Sequence, residues 1–156
     1  MKHAGSCLCG KVRFELDTDL GEFGYCHCKA CQKASGSAHA ANAPIERTSF
    51  RLIAGSEVLK EFESSPGKFR AFCSNCGSPL YAYLARSPEH MRIRLGVLDT
   101  PFDKQPRAHT WVSEKAAWEP IFGDLPQFET WASRDVLVQR GSKQDLEPSP
   151  GSKKPS

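Results

Sequence analysis

Cys26-His27-Cys28-Lys29-Ala30-Cys31 is the stretch on which the reading of this chain depends. Three sulfurs within six residues point to one side of a tight backbone loop, so they can converge on a single metal ion. Zinc takes four tetrahedral ligands: four thiolates make a closed structural site, whereas three protein ligands leave a position for chemistry. Where the remaining cysteines go therefore decides both fold and function.

The chain has seven cysteines, an odd number that cannot pair off completely into disulfides. They fall as Cys7-x-Cys9, Cys26-x-Cys28-x-x-Cys31 and Cys73-x-x-Cys76, a grouping that points to metal. Spacing allows two partitions. In the first, Cys7, Cys9, Cys73 and Cys76 close a four-thiolate site, and Cys26, Cys28 and Cys31 form an open one. In the second, Cys28 and Cys31 join Cys73 and Cys76 in a ribbon-like site, leaving Cys7, Cys9 and Cys26. The first is favoured, because dividing the central run between two metals would crowd two cations together unless a sulfur bridged them.

Around these clusters the pattern is that of strands. Lys11-Val12-Arg13-Phe14-Glu15-Leu16 alternates strictly, and Met91 to Val97 holds apolar residues at odd positions, the clearest strand of all. Shorter runs at 50–53, 58–62, 68–72, 80–84 and 108–112 are separated by Gly, Pro and Ser turns. Ser87-Pro88-Glu89-His90 reads as a turn, and Ala38 to Pro44 as a closely packed extended segment that Pro44 ends. Helix signals are weak, so the class is mainly β. Trp118, Phe122 and Phe128 suggest a loop strapped over the core by aromatic anchors, with Trp111, Trp118 and Phe128 as core side chains.

At 156 residues, with 39% apolar and 25% charged content, the chain suits one domain of ordinary soluble composition. Residues 1-130 are expected to form the zinc-binding domain, 131-140 a C-terminal extension and 141-156 a disordered tail. No run of about 18 apolar residues could span a membrane, and Met1-Lys2-His3-Ala4-Gly5 opens no signal-peptide core, so the expected location is cytoplasmic. The formal charge of +3 falls to zero with seven thiolates on two Zn²⁺ ions, and the tail from Gly141 carries only a net +1. Neither balance calls for a nucleic acid or a membrane as partner. Nothing in the sequence indicates an oligomeric state.

These motifs together carry a family resemblance. Gly5 to Gly10, Cys26 to Lys33 with Ser35-Gly36, Phe72 to Ser78, and His109 to Lys115 with Trp118 and Leu125-Pro126 resemble, in order, the glutathione-dependent formaldehyde-activating enzyme family. The resemblance implies an Mss4-like, β-tent fold of antiparallel sheets and supports the first partition. It makes Cys7, Cys9, Cys73 and Cys76 the ligands of a structural zinc, and Cys26, Cys28 and Cys31 those of a catalytic zinc, two ions per chain. The implied activity is of the carbon–sulfur lyase class, joining glutathione to formaldehyde as S-(hydroxymethyl)glutathione. The alternatives are a non-catalytic zinc-stabilised scaffold, since the domain type also resembles part of an animal centromere protein, and a glutathione carrier.

Gln32, Lys33 and Ser35 directly follow the open site and are candidates to meet the carboxylates of glutathione. His27, inside the run, is a candidate fourth ligand, disfavoured because the backbone would have to fold it back between two ligating neighbours. His39 and His109 are candidates for proton transfer or for lining the pocket, against a plain structural role.

Overall fold

Alternating apolar side chains give the main strands one face to bury, and two sheets meet over those faces. The computed structural model describes residues 1–132. The smaller sheet contains β1 (His3–Ser6), β2 (Arg13–Leu16) and β5 (Phe50–Ala54), in the order β1-β2-β5. The larger is built from β3 (Gly24–Cys26), β4 (Ala40–Glu46), β6 (Leu59–Ser65), β7 (Lys68–Cys73), β8 (Pro79–Leu84), β9 (Ser87–Arg94) and β10 (His109–Thr110). Its order is β10-β3-β4-β9-β8-β7-β6, antiparallel throughout except for the parallel β3–β10 pair. The chain is mainly β, with two sheets closing over one core.

Phe14 and Leu16 of the small sheet meet Ala43, Ile45, Ala71, Tyr81, Met91 and Ile93 of the large one, all buried. Phe50 stacks on Phe14 at 5.2 Å and stands edge-on to Tyr81 at 5.3 Å. Burial of this kind contributes about 25 cal/mol per Å² of apolar surface and is what holds the sheets together. The large sheet's other face is free for a site, and near β3 and β4 the short helix α1 (Lys29–Ser35) packs against β4.

Several elements differ from the sequence reading. The central cysteine run is not wholly a loop: Cys28 caps α1, accepting the Cys31 N–H at 3.2 Å, and Cys31 rides on the helix. Lys29, Ala30, Gln32, Lys33 and Ala34 are good helix formers, which sustains this short turn of chain. Ser87 to His90 belongs to β9, and the expected strand end at Leu95–Val97 is instead a 3₁₀ turn. Pro88 is tolerated there because Tyr83 faces Met91 while Leu84 faces Ser87, a register shift that leaves the intervening residues of β9 without partners on β8. Pro44 does not end its strand but sits inside β4 opposite Arg92. It lies beyond Asn42, the last β4 residue paired with β3, where the strand has one bonded neighbour only.

The aromatic strap is also corrected. Trp118 is 68% exposed and Phe122 84% exposed, so neither anchors the core, while Trp111 and Phe128 are half-buried. Trp111 stands edge-on to Trp131 at 5.7 Å and takes a left-handed backbone, φ 57°. The expected extension from 131 to 140 lies outside the described residues after Ala132, as does the whole expected tail.

Candidate functional site

Two sulfur clusters form, and they are those of the first partition. The ligand atoms of Cys7, Cys9, Cys73 and Cys76 lie within 4.8 Å of one another, as do those of Cys26, Cys28 and Cys31. In the four-cysteine cluster, Cys7 and Cys9 Sγ are 3.5 Å apart and Cys9 and Cys73 Sγ 3.9 Å. A tetrahedron of thiolates at about 2.3 Å from zinc has edges of about 3.8 Å, so these separations fit the ion. The donor set is thus one that a zinc ion would close completely.

Two similar knuckles build that cluster. After Cys9 and Cys76 come Gly10 (φ 75°) and Gly77 (φ 79°), whose N–H groups turn back onto the carbonyls of Cys7 and Cys73 at 2.9 and 2.7 Å. A side chain would meet nothing there, so the left-handed backbone alone calls for glycine. The Val12 N–H reaches Cys7 Sγ at 3.2 Å. Hydrogen bonds from Ser78 hold Cys76 down at about 5, whereas burial pushes Cys73 up to about 11. The cluster is joined from the first residues of the fold and from the β7–β8 turn, so it clasps the small sheet to the large one.

The three-cysteine cluster draws Cys26 from the end of β3, Cys28 from the helix cap and Cys31 from the first turn of α1. Hydrogen bonds from Cys26 and Cys28 hold Cys31 well below the usual thiol range, with the charges of Arg70 and Arg94 adding to them. Cys26 is pushed well above that range by hydrogen bonds with Cys28 and Cys31 and by burial. Three thiols this close cannot all ionise without a cation among them; a divalent metal would take the place of the shared protons.

Among the described residues, no histidine or carboxylate joins this trio as a fourth ligand. His27 points elsewhere. It is fully buried, and its Nε2 meets His109 Nδ1 at 2.8 Å. His39 stacks on Tyr25 at 4.1 Å and stands edge-on to His27 at 5.2 Å. Burial first, then the neighbouring imidazoles, lowers His27 to about 4; burial also lowers His39 and His109. The three rings are neutral at pH 7 and form a packed polar cluster beneath the strand that carries Cys26.

Gln32 and Ser35 serve the local backbone. The Gln32 amide donates to the carbonyls of His27 and Glu114, both at 2.8 Å, and the Ser35 hydroxyl donates to those of Cys31 and His39 at 2.8 and 3.1 Å. Lys33 is exposed on the last turn of α1. The Glu114 carboxylate accepts the Lys29 N–H at 2.6 Å, tying the loop after β10 to the start of the helix. Ser35 also lines a cleft of about 650 Å³, shared with Cys7, Leu8, His39, Arg94 and Asp99. Sequence reasoning missed Arg94, although its alternation with Arg92 along the clearest strand was a signal available to it.

A mainly β fold carries two thiol clusters, one of four sulfurs and one of three, and each could hold a metal ion. The chain belongs to the family described as glutathione-dependent formaldehyde-activating enzyme, whose model matches residues 2–114. A Halomonas elongata protein that carries the family's name is 31% identical over 126 residues, covering 75% of this chain and 79% of that protein. A Schizosaccharomyces pombe protein named as an uncharacterized lyase is 28% identical over 108 residues, covering 67% of this chain and 77% of that one. A crystal structure of a Rhodobacter sphaeroides protein aligns with a TM-score of 0.54 at 22% identity, over 64% of this chain and 91% of that chain, a likeness of fold.

Proposed function

We propose that this chain is a zinc-dependent enzyme of the carbon–sulfur lyase class that joins glutathione to formaldehyde as S-(hydroxymethyl)glutathione. In this reading Cys26, Cys28 and Cys31 hold the catalytic zinc, and Cys7, Cys9, Cys73 and Cys76 hold a structural one. The observation that carries it is the unequal pair of clusters: four converging sulfurs in one, three in the other. Family membership and the lyase name of a relative agree with it. Zinc held by three thiolates would supply an open ligand position at which a fourth thiol, that of the substrate, would give up its proton.

The chain's own residues prepare the seat for that sulfur. Cys28 and Cys31 are fixed by the first turn of α1, Cys26 by its pairing with Ala40 on β4, so the three sulfurs are set before substrate arrives. The substrate sulfur adds to the formaldehyde carbon, the carbonyl electron pair moves onto oxygen, and that oxygen takes up the proton the thiol released. One carbon–sulfur bond forms and nothing is oxidised or reduced.

The test is exchange NMR on glutathione with formaldehyde, in the presence of zinc-loaded parent, of Cys28→Ser, or of no protein. The parent is expected to speed exchange at least about tenfold over the other two, a barrier lowered by about 1.4 kcal/mol. Equal rates in all three samples would remove the activity and leave a carrier or a scaffold.

A further inference from the structure

Met91 and Ile93 of β9 enter the core, and Arg92 and Arg94, which alternate with them, take the opposite face of the sheet. Register carries that face in both directions. Arg92 lies opposite Ala82 on β8, which lies opposite Arg70 on β7, with Lys68 two residues before it. On the other side Arg94 lies opposite Asn42 on β4, and two residues from Asn42 the same strand pairs Ala40 with Cys26. The face that presents the Cys26 sulfur is therefore a basic one.

Arg94 is the unusual member. It is only 5% exposed, a burial that a guanidinium ordinarily takes only with an anion beside it. Its Nη1 donates to the neutral Asn42 Oδ1 at 2.8 Å, and its Nε is buried without a hydrogen-bond partner. Among the described residues, no carboxylate forms an ion pair with Arg94, Arg70 or Lys68. Burial together with Arg92 and Arg70 lowers Lys68 to about 8, another sign that the face lacks negative charge. Three thiolates around a Zn²⁺ ion would bring one net negative charge to this region, too little to balance three cations.

Arg94 also lines the cleft of about 650 Å³, a size suited to a small-molecule ligand. β9 lies only two strand spacings from β3, roughly 10 Å, and the charges of Cys31, Cys26 and Cys28 act directly on Arg94, so one small peptide can meet both. A tripeptide whose sulfur sits at the trio can therefore lay a carboxylate against Arg94.

We infer that Arg94 is the anion anchor of this site: it takes a carboxylate of the thiol substrate through its unpartnered Nε edge, with Arg70 and Lys68 extending the positive field. The site thereby selects anionic peptide thiols over neutral ones. This rests on the thiol chemistry proposed above for Cys26, Cys28 and Cys31. Asp99, in the same cleft, offers the charge that the amino group of a γ-glutamyl head would meet.

The test separates anion binding from metal binding by using S-methylglutathione, which keeps both carboxylates but has no thiol to ionise. Its affinity for the zinc-loaded parent, Arg94→Gln, Arg94→Lys and Arg70→Gln is measured by calorimetry, with zinc content and thermal melting recorded for each. Arg94→Gln is expected to weaken binding about tenfold or more, Arg94→Lys to keep it within about threefold of the parent, and Arg70→Gln to lose about threefold. The bisamide of the same ligand is expected to bind the parent at least about tenfold less tightly. This last comparison decides the matter should Arg94→Gln not fold. Equal affinity of the diacid and bisamide, or of a folded Arg94→Gln and the parent, would overturn the anchor. Binding that depends on Arg94 without faster formaldehyde exchange would remove the proposed reaction and leave the anchor standing; the opposite pair of results would do the reverse.

Discussion

His27 Nε2 and His109 Nδ1 lie 2.8 Å apart in the interior, so one shared proton links the loop that carries two sulfur ligands to strand β10. One nitrogen donates and the other accepts, which fixes the two rings in complementary tautomers. His27 Nδ1 is already buried without a partner, so losing His109 would orphan both of its nitrogens. His109→Ala is expected to cost about 2–3 kcal/mol, an unmade buried hydrogen bond plus the space left behind. His109→Asn, whose Oδ1 stands near the position of Nδ1, is expected to cost about half as much. Urea denaturation of the zinc-loaded proteins measures both; equal losses would mean that the ring's volume matters and its nitrogen does not.

The same rings set a pH dependence. Their folded values are depressed, with His27 at about 4 against 6.5 in the unfolded chain. Between those limits the unfolded chain takes up protons that the folded one refuses, so stability is full above 6.5 and is lost as pH falls below it. For His27 the slope approaches about 1.4 kcal/mol per pH unit, and His39 and His109 act in the same direction. Denaturation midpoints at pH 7.5 and 5.5, with zinc content verified at both, are expected to fall with the pH. An unchanged midpoint would mean that these imidazoles accept protons in place.

Each sulfur knuckle was legible as a local motif and the strands through their period of two, but spacing left two ways to pair the knuckles, and the one that forms was favoured by crowding in the central run and by the family resemblance. Helix α1 was not legible, since its cap is a cysteine that spacing had assigned wholly to metal. The turn expected at Ser87 to His90 failed because proline was read as a break, while a register shift there absorbs it. Arg92 and Arg94 stood in plain view, yet only the order β9-β8-β7 brings Arg70 and Lys68 onto their face. Trp118 was read inward on its size alone, and a single sequence gives no sign of which aromatic stays in water.

Loss of a sulfur should act differently in the two clusters. Cys73 is completely buried and ties β7 to the first turn of the fold, so Cys73→Ser removes a ligand from the clasp between the sheets. Structural zinc in small domains contributes on the order of 10 kcal/mol, comparable to the whole stability of a domain. Cys73→Ser is therefore expected to give an undispersed NMR spectrum at 25 °C. Cys28→Ser, at the edge of the open cluster, is expected to stay folded and to carry one zinc where the parent carries two. Metal counting by native mass spectrometry reads the difference, and a well-folded Cys73→Ser would deny the four-cysteine cluster its structural role.

Gly55 and Gly67 both take a left-handed backbone, with φ of 92° and 76°, but their surroundings differ. A Cβ on Gly55 would stand 2.5 Å from the Lys11 carbonyl oxygen and 2.7 Å from Val12 Cα, whereas one on Gly67 would only touch Ala85 Cβ at 4.0 Å. Gly67→Ala is expected to cost about 1–2 kcal/mol, the left-handed strain alone. Gly55→Ala bears the same strain and must also push apart backbone that cannot rotate away, because Lys11 and Val12 lead directly into β2. It is expected to cost at least about 1–3 kcal/mol more than Gly67→Ala. Equal losses in the denaturation of the two variants would show that the β5–β6 turn yields, and that its close approach to Lys11 and Val12 does not help to set the small sheet against the large one.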